Sequence, residues 1–301
     1  MKESKKEKPQ QPELEKSVGG KVLAFLKEFG IVFGAFLVLN NFVIASFLVP
    51  TGSMENEVMT GDLLFVNKFI YGGTSPRNIP FTNVRLPWFR VPAIRSVERG
   101  DVIVFVFPGY RDELTPEDFT FYLKRCVGLP GDTLQVINRV LYVNGSPSPL
   151  PRNMHFSFPR LANPKAVDDR IFPVGAPWNE DNYGPMVIPK TGMVIPLDRA
   201  SLPKWETFIR REGHTVQIVG DVIQIDGKAV TGYSVQRDYL FGMGDHRDNS
   251  LDSRYWGFIP KENLVGTPLI VYWSWDTNIP IYSIFSKLAS VRLNRIGTLI
   301  R

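Results

Sequence analysis

Residues 29–49, FGIVFGAFLVLNNFVIASFLV, form a 21-residue run without a charge. At about 1.5 Å per residue, a helix of that length matches the roughly 30 Å hydrocarbon core of a bilayer. A buried core helix is usually shorter. A cleaved secretory signal normally has an apolar part of about 7–15 residues and then a small-x-small site, which does not follow directly here. The run is therefore read as one retained membrane anchor, with Asn40 and Asn41 as polar blemishes. Residues 1–28 hold seven Lys, five acids, Pro9 and Pro12, and read as a solvated cytoplasmic tail. The first charges after the run are Glu55, Glu57 and Asp62. This Lys bias predicts an N-terminus inside and the bulk of the chain outside.

Composition limits what the rest can be. With 44% hydrophobic and 22% charged residues, wholesale disorder is excluded. The 25 Gly and 24 Pro fit a loop-rich β-protein better than a helical bundle. The net charge of +5 is not gathered into a basic stripe, so no nucleic-acid partner is expected. Cys126 is the one cysteine and rules out an intramolecular disulfide. His155, His214 and His246 are scattered without metal-ligand spacing, so neither a metal nor a cofactor is expected.

Short apolar segments punctuated by Gly and Pro predict strands at 62–68, 101–107, 120–127, 133–143, 215–225 and 264–275. A break at Asn138-Arg139 and the turn pairs Asn144-Gly145 and Asp226-Gly227 predict hairpins. The expected fold is mainly β: an antiparallel sandwich or barrel, preceded by one transmembrane helix. Its core is assigned to 50–145 and 214–280, with a small insertion at 76–98 carrying Trp88 and Phe89. The Pro-rich segment 146–213 is read as an inserted subdomain, and 281–301 as a basic, amphipathic C-terminus.

Three segments carry chemistry. The first is Val49-Pro-Thr-Gly-Ser-Met, just past the anchor. Ser53 is either a turn serine satisfying backbone groups or a nucleophile at the membrane face. In the second, 122–132, strand alternation puts Tyr122, Lys124 and Cys126 on one face. Lys124 is either a snorkelling side chain or a buried amine whose lowered pKa lets it serve as a base for a serine. The third, 242–257, packs three Asp, two Arg, two Ser and three Gly into 16 residues. It reads as an ion-paired structural knot, an active-site support or a cation loop.

In this order behind a single anchor, the segments resemble bacterial type I signal peptidase (leader peptidase). The most specific pieces are 244–257 and Lys-Arg-x-Val-Gly-Leu-Pro-Gly-Asp at 124–132. The resemblance implies a Ser-Lys endopeptidase that removes signal peptides after small residues, through an acyl-enzyme. Ser53 would be the nucleophile and Lys124 its base. Ser250 would orient the Lys124 amine. The Ser53 N–H and the Thr51 hydroxyl would form the oxyanion hole. Asp252 and Arg254 would make a supporting salt bridge, with Asp245 holding the same loop. Phe47, Val49, Tyr122 and Leu123 match positions lining pockets for the −1 and −3 residues of the substrate. The implied partners are signal peptides of exported preproteins and the bilayer, with the enzyme a single-pass monomer of the inner membrane and its catalytic domain on the outer face. Cleavage should be insensitive to chelators.

The chain departs from the family pattern in places, with Thr51 where some members carry Ser and one anchor where some have two. Asn56 stands where Ser-Met-x-Pro has proline, and His246 replaces the Asn of Gly-Asp-Asn-Arg-Asp. Two other readings are a self-cleaving autoprotease of the same Ser-Lys β-fold and a non-catalytic preprotein receptor. The anchor and the 244–257 loop oppose the first; the presence of both Ser53 and Lys124 opposes the second.

Overall fold

The structure, a computed structural model, describes residues 18–75, 84, 86–87 and 89–301. It forms two compact units, one ending at Asn40 and one spanning Asn41–Arg301. An α-helix runs Val18–Val38 in the first, and the π-helical turn that follows, Leu39–Val43, contains both asparagines and spans the division between the units. The span Gly19–Val43, 25 residues with mean hydropathy 2.2, is long and apolar enough to cross a membrane. It starts earlier and ends earlier than the 29–49 run. The sequence Ile-Ala-Ser-Phe-Leu at Ile44–Leu48 is a strand instead, because it pairs in register with Asp62–Asn67 and buries Ala45.

The second unit is built on a seven-stranded antiparallel sheet. Its strands are β1 (Ile44–Leu48), β2 (Asp62–Asn67), β3 (Val102–Val106), β4 (Phe121–Gly128), β5 (Tyr239–Met243), β6 (Ile259–Pro260) and β7 (Leu264–Ser274). Their spatial order is β1-β2-β7-β3-β4-β5-β6. In β2 every second residue is buried, the pattern of a strand with one wet face. β5 is buried throughout and β3 nearly so, because layers cover both their faces. The sheet curls until the Phe47 ring of β1 meets the Phe121 ring of β4, centroids 5.0 Å apart. That curl brings the strand before Ser53 close to the strand that carries Lys124.

A second lobe packs on this sheet. The hairpin Thr133–Ile137 and Val140–Val143 turns at Asn138 and Arg139, both with positive φ. Its outer partners are Ser146–Pro147 and Tyr183–Val187. Val194–Pro196 pairs with Gly232–Ser234. Strand pairing therefore crosses the 145/146 and 213/214 boundaries, because a lone hairpin needs further strands to bury its apolar face. Helix Leu202–Arg211, with Pro203 in its first turn, also lies in this lobe, in a stretch whose weak periodicity gave no sign of it. Phe172, Phe208, Tyr239, Phe241 and Phe258 share its core.

The basic C-terminal segment turns inward. Arg292 Nη2 donates to the Thr60 and Trp275 carbonyls at 2.5 and 2.8 Å. Arg295 Nη2 donates to Asp62 Oδ2 at 2.6 Å and to the Glu57 carbonyl at 3.0 Å. These two arginines brace the turn that follows Ser53. Ile281, Tyr282, Ile284 and Phe285 remain exposed. Of the aromatic pair in 76–98, Phe89 stacks on Phe42 at 5.7 Å, and Trp88 lies outside the described residues.

Candidate active site

Ser53 sits in a tight turn between β1 and β2. The Val49 N–H donates to the Asp62 carbonyl and the Gly61 N–H to the Val49 carbonyl, both at 2.9 Å, closing the base of the turn. Met54 is 1% exposed and anchors it from below. The His246 N–H donates to the Ser53 carbonyl at 3.1 Å, tying the turn to the 242–257 loop. Among the described residues the Ser53 N–H has no hydrogen-bond partner.

Lys124 reaches this serine from β4. Its Nζ lies 2.6 Å from Ser53 Oγ, and the residue is only 4% exposed. Burial lowers the amine to about 8, against a pull upward from Asp252. An ammonium at this depth has lost most of its hydration, and the Asp252 charge behind it is already neutralised by Arg254. The neutral form is thereby made accessible near physiological pH. The alternation read from the sequence holds, since Lys124 Nζ lies 5.7 Å from the Tyr122 ring centroid and Cys126 is fully buried.

Behind the two side chains lies a buried charge layer. Arg254 binds the Asp252 carboxylate through Nε and Nη2 at 2.9 and 2.8 Å. The Asp252 side chain also accepts the Arg254 and Gly244 N–H groups at 3.1 and 3.0 Å. Burial alone would raise the Asp252 carboxyl, but Arg254 overrides it and holds it below the usual carboxylate range. Asp245 takes a bidentate bond from Arg125, at 2.8 and 2.5 Å. Arg125 Nη2 also lies 3.7 Å from Glu57. Sequence reasoning missed Arg125 and Glu57; the position of Arg125 next to Lys124 in the Lys-Arg pair was the available signal.

Ser250 is beside the pair, but its buried hydroxyl has no hydrogen-bond partner among the described residues. The Lys124 amine is turned to Ser53 instead. Gly244 explains how the groups fit together. A Cβ there would lie 2.2 Å from Ser250 Oγ and 2.5 Å from the Ser53 carbonyl oxygen. Only glycine allows the loop to pass so close to the serine turn.

The pair opens into a groove of about 840 Å³. Phe47, Val49, Thr51, Tyr122, Leu123 and Ser250 all stand on its wall, as do Phe121, Leu251 and Tyr255, which the sequence did not single out. Asp245, Asp252 and Arg254 lie outside the lining, behind it. One wall comes from β1 and its extension, the other from the start of β4. Among the described residues β1 pairs only with β2, which makes it an edge strand of the sheet. Such an edge can accept an extended peptide as a further strand.

A serine bonded to a buried amine, at the foot of a groove with a strand edge, is an arrangement for peptide hydrolysis. Comparison with known proteins agrees with it. Residues 22–273 match the family described as signal peptidase, peptidase S26. The chain belongs to that family. It is a serine endopeptidase of the type I class. A signal peptidase I of Pseudomonas aeruginosa is 31% identical over 274 residues, covering 85% of this chain and 76% of its own. One of Buchnera aphidicola is 29% identical over 294 residues, covering 91% and 82%. A third, of Helicobacter pylori, is 28% identical over 245 residues, covering 77% and 76%.

The departures at Asn56 and His246 have a structural setting in this peptidase. Asn56 has φ +74°, in the left-handed region that Asn tolerates and proline's ring forbids. A proline at position 56 would not fit this turn beneath Ser53. His246 does not point into the groove; its ring lies 4.0 Å from that of His155.

Proposed function

We propose that the peptidase cleaves signal peptides from exported preproteins with Ser53 as nucleophile and Lys124 as general base. The observation that carries this reading is the 2.6 Å contact between a buried amine and the serine hydroxyl at the foot of a peptide-sized groove. In its neutral form Lys124 takes the Ser53 proton as Oγ attacks the scissile carbonyl. The Ser53 N–H and the Thr51 hydroxyl receive the developing oxyanion. Collapse expels the mature protein's amine, which takes the proton from Lys124 and leaves an ester on Ser53. Lys124 then deprotonates the water that hydrolyses that ester. The unpartnered Ser250 hydroxyl orients the amine once it releases Ser53 Oγ. Asp252 with Arg254, and Asp245 with Arg125, keep the loop and β4 in register with the serine turn.

The substrate lies extended between the β1 edge and residues 121–123, with its −1 and −3 side chains against Phe47, Val49, Tyr122 and Leu123. Aromatic and branched walls leave room for Ala, Gly or Ser and exclude larger groups. The apolar span Gly19–Val43 holds the enzyme in the inner membrane. The N-terminus is inside and the groove is at the outer surface, where a cleavage junction emerges. The exposed Ile281, Tyr282, Ile284 and Phe285 provide a further contact with lipid.

The test is cleavage of a preprotein with Ala-x-Ala before its junction, by the full chain in detergent. The wild-type enzyme should cut at that junction and the Ser53→Ala variant should not. Replacing the −1 Ala by Leu should lower kcat/KM by more than about 100-fold, since even one methylene too many costs about 10–200-fold in a closed pocket. Equal rates for Ala and Leu junctions, or cleavage by Ser53→Ala, would remove the reading.

A further inference from the structure

Next to the serine turn, three side chains from distant parts of the sequence meet: Glu55, His155 and His246. None of them lines the groove. Their ligand atoms all lie within 4.8 Å of one another. Glu55 Oε2 is 3.2 Å from His246 Nδ1. Behind His246, Nε2 is 2.5 Å from Ser157 Oγ and 3.5 Å from Asp248 Oδ1. Glu55 thus meets one ring nitrogen of His246, while Ser157 and Asp248 meet the other. Asn56 Nδ2 lies 3.1 Å and the Asn153 carbonyl 3.4 Å from His155 Nδ1, and Asn249 Nδ2 lies 3.5 Å from His246 Nδ1.

We propose that Glu55, His155 and His246 bind one first-row divalent ion of the zinc class. Two imidazoles and one carboxylate suit such an ion, with water in the fourth position. Tetrahedral zinc with bonds of about 2.0–2.2 Å keeps its ligands roughly 3.3–3.5 Å apart. The Glu55–His246 separation already fits, and His155 closes the set by a small side-chain movement. Ser157 and Asp248 supply the outer partners that orient a metal-bound imidazole. The ion would fasten the second lobe, through His155, to the turn two residues past Ser53. It takes no part in the chemistry, so the chelator-treated enzyme still cleaves.

Calorimetry of Zn2+ binding to the chelator-treated full chain in detergent, with its thermal midpoint, tests this. One ion per chain should bind and raise the midpoint. Glu55→Gln and His155→Gln should each weaken binding by more than about 10-fold, the loss already typical when an outer partner is removed. Both should lose the thermal shift, and His155→Gln should keep its metal-free cleavage, which shows that it is folded. His214→Gln, at the separate His214–Asp226 contact, should bind as the wild type does. Absence of binding, or binding unaffected by Glu55→Gln and His155→Gln, would overturn the assignment.

Discussion

Lys124→Ala is expected to lower kcat/KM by at least about 10²–10⁴-fold, the usual share of a general base. The loss should exceed that range, because the same amine serves acylation and deacylation and because nucleophile and base act as a unit. Lys124→Arg should be equally inactive. Arginine keeps a positive charge and a long stem, but its guanidinium cannot be deprotonated in a protein. An amine needed only for its charge would be replaced with partial success; an amine needed as a base would not. Comparison of the two variants, each shown to be folded by its thermal transition, separates the roles. Substantial activity in Lys124→Arg would assign Lys124 an electrostatic role alone.

The second large effect falls on stability. Arg254 and Asp252 are 2% and 0% exposed, and Arg254→Ala leaves the carboxylate buried without its counter-charge. Breaking such a pair from one side costs about 3–5 kcal/mol, read as a shift in the denaturation midpoint of the full chain in detergent. Arg199→Ala, which removes an ion pair whose side chains are 58% and 95% exposed, should cost no more than about 1 kcal/mol. The buried substitution also carries a signature that a purely structural role would lack. Asp252 pulls the Lys124 amine up and Arg254 pushes it down. Without Arg254, the surviving enzyme should need a higher pH to reach full activity. If Arg254→Ala and Arg199→Ala destabilise equally, the buried layer does not have the role given to it here.

Much of this was legible in the sequence because the informative signals are local. Pairing of Ser53 with Lys124 followed from the motifs once their family resemblance was seen, and the alternation of Tyr122, Lys124 and Cys126 is a property of any strand. The Asp132 turn is similar. Its carboxylate accepts the Leu129 N–H at 2.8 Å and two bonds from Arg99, so the Gly-Leu-Pro-Gly-Asp stretch ends β4 by local hydrogen bonding. What stayed hidden depends on contacts between distant segments. Hydropathy does not distinguish the last turn of an anchor from a strand, and only the partner Asp62–Asn67 decides that Ile44–Leu48 joins the sheet. The histidines are scattered along the chain, yet an isolated bridge between His155 and His246 brings two of them together. The second lobe crosses its expected boundaries for the same reason. Its strands take partners from both sides of the Pro-rich stretch.

The central claim is that a buried, uncharged lysine is the base, and the pH dependence of kcat/KM for the full-length enzyme tests it most directly. An amine near 8 is roughly one-tenth neutral at pH 7 and about nine-tenths neutral at pH 9. Activity should therefore rise with pH through an acid limb centred at about 8, and the limb should move upward in Arg254→Ala. A limb centred near 4–5, where a carboxylate titrates, or near about 6.5, where a histidine does, would contradict the account.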